Sequence, residues 1–96
     1  MIIVQGGKRW QLVFADPGRG CAGSCDPPTR VGKQIRLRPS LRHHPTELVE
    51  TIIHECLHAQ GWQLDEAFVA QAAADITRVL ERLALIRQET PIEIHR

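Results

Sequence analysis

The sequence contains no tyrosine, and its only methionine is Met1. No phenol and no internal thioether are therefore available to any site the chain builds. Cysteine is sparse, at Cys21, Cys25 and Cys56. An odd count argues against a disulfide scaffold. Cys21 and Cys25 could form half of a zinc knuckle, but no second C-x-x-C or H-x-x-H pair completes it, and His43-His44 is poorly spaced for the purpose. They read as two free thiols in a glycine-rich loop, able to close a local disulfide under oxidation. No apolar run is long enough to span a bilayer. The opening MIIVQGGKRW turns polar too soon for an export signal. The expectation is a cytoplasmic chain with no membrane contact.

What is present suffices for one small core. Residues 1–96 are expected to form a single domain, and 43% of them are hydrophobic, enough for one sheet face covered by one or two helices. The net charge of +1 hides an asymmetry. Met1 to Thr46 holds eight Lys/Arg and two acids, whereas Glu47 onward holds nine acids and four Arg. Arg30, Lys33, Arg36, Arg38 and Arg42 follow one another with no acid between them. Such a group can mark a nucleic-acid or acidic-substrate surface. The simpler reading is a solvated basic face, because no nucleic-acid motif accompanies it.

Periodicity divides the chain into elements. Ile2-Ile3-Val4 and Arg9 to Phe14 read as strands joined at Gly6-Gly7 by a hairpin turn. Asp16 to Arg30 holds glycines and prolines without periodicity and reads as a loop. Lys33 to Arg38 alternates apolar and charged residues, as a half-buried edge strand does. Pro45 suits the first position of a helix running to Gln60, with Gly61 ending it. A second helix is expected from about Asp65 to Gln88, with Phe68, Val69, Ala72, Ala73, Ile76, Val79, Leu80 and Leu83 on its core face. The tail from Glu89 to Arg96 alternates weakly. The expected fold is α+β: a small antiparallel or mixed three-stranded sheet, an active-site helix, and a second helix antiparallel to it.

Within the first helix lies His54-Glu55-Cys56-Leu57-His58, the pattern H-E-x-x-H. At that spacing two imidazoles share one helix face and can grip one Zn²⁺. Glu55 is offset by about 100°, which suits a base acting on a water at the metal. Zinc would lower the pKa of that water, and Glu55 would take its proton before attack on a carbonyl. A catalytic zinc needs a third protein ligand. Gly61 falls where the longer pattern H-E-x-x-H-x-x-G-x-x-H has its glycine, but Leu64 stands where that pattern has its third histidine. Glu66 begins the stripe of Val69, Ala73, Ile76 and Leu80, and a carboxylate there calls for a partner. Asp65, one residue aside, suits a helix cap or a bond to a histidine N–H, and is the alternative third ligand.

These residues resemble the gluzincins, metallopeptidases that combine H-E-x-x-H with a glutamate from a following helix. The short chain is most similar to the minimal members, the minigluzincins, over Lys33 to about Arg87. The resemblance implies a zincin-like fold, zinc held by His54, His58 and Glu66, Glu55 as general base, and a peptide or protein substrate. It also marks a departure: the phenol that often stabilises the oxyanion in zincins has no counterpart. A catalytically silent zincin-fold module that only binds zinc is the alternative. In so small a protein the tail Pro91 to Arg96 could also lie along the cleft and leave the enzyme latent.

Overall fold

A computed structural model describes residues 1–88 and Ile94. The chain forms β1 (Ile2–Gln5), β2 (Lys8–Phe14), β3 (Gly23–Cys25) and β4 (Gln34–Leu37). A short 3-10 turn (Pro39–His43) follows, then α1 (Pro45–Gln60) and α2 (Glu66–Arg82). The class is α+β, but the sheet has four strands rather than three, in the order β1-β2-β4-β3. The β1–β2 hairpin turns at Gly6 and Gly7, both at positive φ, 60° and 73°, as a two-residue hairpin requires.

The additional strand is β3, inside the segment read as an aperiodic loop. Three residues, Gly-Ser-Cys, are too few to show alternation. They are strand only because β4 supplies their antiparallel partners, Gly23 to Leu37 and Cys25 to Ile35. This changes the place of Lys33–Arg38. Its strand is not at an edge: β4 pairs parallel with β2 on one side and antiparallel with β3 on the other. Its charges are tolerated because they are paired. Asp26 is buried and takes Arg36 Nη1 at 3.0 Å, Arg30 Nη1 at 3.4 Å and the Gln34 N–H at 2.9 Å. Burial alone would raise the Asp26 pKa, but the Arg36 guanidinium and the Gln34 amide outweigh it and hold the carboxyl below its ordinary value.

One face of the sheet carries the core. Trp10, Leu12, Ile35 and Leu37 meet Leu41 of the 3-10 turn and Leu48 and Ala59 of α1. The Trp10 indole satisfies its N–H on the Gln5 carbonyl, 3.1 Å away. α2 packs back on α1 and buries Val69, Ala73 and Thr77. Phe68, Ile76, Val79 and Leu83, expected in the core, are exposed. Among the described residues, their face of α2 meets no second layer.

α2 also ends earlier than its pattern suggests, at Arg82. Ala84 adopts φ 55°, and the Leu85 and Ala84 amides return to the carbonyls of Leu80 and Glu81. This Schellman-type stop uses alanine where glycine is usual, at a cost of roughly 1 kcal/mol. Among the described residues no helix is long and apolar enough to cross a membrane. The tail expectation falls on residues 89–96, which lie outside the described set except for Ile94. That residue packs beside Met1, Leu12 and Phe14.

Candidate metal centre

Two stripes on α1 divide the labour. Leu48, Thr51, Glu55 and Ala59 form the buried line. His54 and His58 lie on the adjoining line, facing the start of α2, with ring centroids 5.0 Å apart. After α1 the chain reverses within five residues, Gly61 to Asp65. Gly61 does this at φ −137°, an ordinary extended value. A Cβ there would lie 2.8 Å from Leu64 Cγ, so a larger residue would have to displace that exposed side chain. Leu64 folds back over the turn, its N–H donating to the Gly61 carbonyl at 2.9 Å, and its side chain offers no metal-binding atom.

Asp65 is the N-cap of α2. Its carboxylate accepts the Phe68 N–H at 3.1 Å, so of the two acids it is the one used for capping. Glu66 is the first helical residue, and its carboxylate spans both imidazoles. Oε1 lies 2.8 Å from His54 Nε2 and Oε2 lies 2.7 Å from His58 Nε2. One ligand atom from each of the three residues falls within 4.8 Å of the others, a spacing suited to holding a metal ion. The histidine side chains are 23% and 17% exposed and that of Glu66 is 68% exposed, so the trio is open to solvent on one side.

Glu55 lies against the edge of the sheet. The closeness of β3 to α1 depends on Gly23: a Cβ there would meet Thr51 Cγ2 at 2.7 Å and Glu55 Cγ at 3.1 Å. Glu55 is only 8% exposed. Burial raises its pKa, the His54 and His58 rings pull it back, Glu66 adds to the rise, and the net shift is upward. A carboxyl so placed is a stronger proton acceptor than one on an open surface.

A cavity of about 440 Å³ opens over this group, lined by Gly23, Cys25, His54, Glu55, His58, Trp62 and Glu66. A second hollow of about 280 Å³ continues past Gly23 to Cys21 and Glu50. Together they form a groove along β3. A larger hollow, about 620 Å³, lies beyond it beside Arg38 and His44, away from the trio.

Gly23, Cys25 and Trp62 were not legible as site residues. Nothing in the local pattern of Cys21 to Cys25 or of the α1–α2 turn points to them: β3 joins the site only through its pairing with β4, and Trp62 only through the reversal between α1 and α2. The Cys25 thiol is pushed up to about 12, first by burial, then by Glu55 and Asp26. Burial likewise raises the Cys56 thiol. Both are therefore protonated at neutral pH. The three cysteines are all free, and no knuckle forms at Cys21 and Cys25 among the described residues.

The basic group is largely engaged within the chain. Arg30 and Arg36 hold Asp26, and Arg38 donates to the carbonyls of Cys21 and Gly18. Lys33 and Arg42 lie over the Trp10 and Phe14 rings. No protein-family model, curated protein or solved structure matches this chain.

Proposed function

We propose that the chain is a zinc-dependent peptidase of the zincin kind. The observation that carries this reading is the convergence of Glu66 on His54 and His58 at 2.7–2.8 Å, beside a buried Glu55. Two imidazoles and one carboxylate are a donor set that catalytic zinc takes with one position left open. The three side chains fit such an ion. When bound, zinc would supply Lewis acidity, polarising a carbonyl and easing deprotonation of water.

The chain's own residues supply the rest. Glu55 holds its carboxylate where it can accept a proton from water and return it to a leaving amine. β3 offers a substrate a backbone to pair with. The Ala22 carbonyl and the Asp26 N–H bond toward β4, so by strand alternation the amide groups of Gly23 and Cys25 face the groove. An extended peptide can add there as a further strand. The strand of Lys33–Arg38 has no free edge for this, because it lies between β2 and β3.

A zinc-binding module without turnover is the second reading. It is favoured by the lack of any phenol, since a missing oxyanion donor costs on the order of 3 kcal/mol in transition-state stabilisation. Trp62 lines the same cavity and brings an indole N–H. Binding of nucleic acid through Arg30–Arg42 is the weaker proposal, because those cations already have partners in the chain.

Metal content and hydrolysis of unfolded protein substrates separate the readings. The peptidase binds one zinc per chain, and Glu55→Gln keeps the metal while abolishing hydrolysis. Unchanged hydrolysis in that variant removes Glu55 as the base. Zinc bound with no hydrolysis by the unmodified chain supports the module.

A further inference from the structure

Helix α2 has two apolar faces. Val69, Ala73 and Thr77 are buried against α1. Turned by about 90° from that line lies a second stripe of Phe68, Ala72, Ile76, Val79 and Leu83. Phe68 is 58% exposed, Ile76 45%, Val79 56% and Leu83 62%. A surface helix normally turns polar residues outward. Here Gln71, Asp75, Arg78 and Arg82 occupy only one border of the stripe. Single exposed apolar residues are ordinary, but a continuous row along a helix marks a contact surface.

The order of residues along this row is self-complementary. A two-fold axis crossing α2 near Ile76 sets Phe68 of one copy over Leu83 of the other. It sets Ala72 against Val79 and Ile76 against its own counterpart, so the small residue faces a branched one. The same axis keeps the polar border on one side of both copies. Asp75 then faces the partner's Arg78, and the pair occurs twice. Within one chain these residues are 3.4 Å apart, with side chains more than half exposed, and Asp75 also accepts from Gln71 Nε2 at 2.9 Å; exposed pairs of this kind are weak and can exchange partners.

We infer that two copies of this chain form an isologous dimer, packing α2 antiparallel across the Phe68–Leu83 row with Asp75 of each chain paired to Arg78 of the other. Glu66 lies roughly 120° around α2 from the centre of that row, so both metal centres remain open. The interface is independent of any catalytic role.

Sedimentation velocity of the full chain from micromolar to sub-millimolar concentration tests it, with and without zinc. The expected result is a dimer in both conditions. Ile76→Asp, at an exposed position, yields a monomer with an unchanged circular dichroism spectrum. Asp75→Arg weakens the dimer several-fold by facing two like charges, and adding Arg78→Asp restores it. A monomer at every concentration overturns the proposal. So does a dimer indifferent to Ile76→Asp, or one in which the double exchange restores nothing.

Discussion

α1 lies between two layers, the sheet on one side and α2 on the other, whereas α2 packs mainly on α1. The two helices are of nearly equal length, 16 and 17 residues. Around α1 and the sheet, Trp10, Ile35, Leu37 and Leu48 are almost wholly removed from water. On α2 the residues that reach that state are Val69, Ala73 and Thr77, while Phe68, Ile76 and Val79 stay outside. The candidate centre bridges the two regions. Its histidines come from the helix covered on both sides and its glutamate from the one covered mainly by α1. A metal shared by them would join α2 to the rest of the molecule, so binding and docking of α2 would be one equilibrium.

That contrast can be broken most directly at the glutamate. Zinc bound at this centre would stabilise the folded chain by about 4 kcal/mol at a thousandfold excess over its dissociation constant. Glu66→Ala is expected to remove most of this gain. Chelation of the unmodified chain should speed hydrogen exchange in α2 more than in β2 and β4. Denaturation with and without zinc, followed by exchange mass spectrometry, checks both. Equal exchange changes in both regions would remove the bridging role.

The next largest effect is expected in the sheet. Asp26→Asn should cost about 2 kcal/mol, because Arg36 loses its charge partner while remaining mostly buried. The folded Asp26 carboxyl is depressed, so its contribution is complete above the unfolded value of about 3.9 and is lost as pH falls through the lower folded value. Urea denaturation at neutral pH and below pH ~4 should show the gap between wild type and variant narrowing in acid. A gap that widens there contradicts the assignment.

The smallest expected effect is a gain on α2. Thr77 is 2% exposed and its hydroxyl has no partner among the described residues. Thr77→Val keeps the shape and removes the orphan group, so it should stabilise by about 1 kcal/mol. A denaturation midpoint that falls instead would reveal a bond made by that hydroxyl.

Local chemistry was enough for much of the molecule. Gly6-Gly7 specifies a hairpin because both turn positions need positive φ. Pro45 sets where α1 begins, and the four-residue step from His54 to His58 puts two imidazoles on one face of any helix. Asp65 as cap and Glu66 as the nearer acid also follow from their positions at a helix start. None of this requires knowledge of distant contacts. β3 does require it, since three residues without a pattern become a strand only when β4 arrives beside them. The groove, the burial of Glu55 under Gly23 and the presence of Cys25 at the site all depend on that one pairing, and Trp62 arrives only through the reversal between α1 and α2. Periodicity also could not say which apolar face of α2 would be covered. A hydrophobic stripe records an affinity for apolar surroundings, and the number of layers built around it decides whether the chain itself provides them.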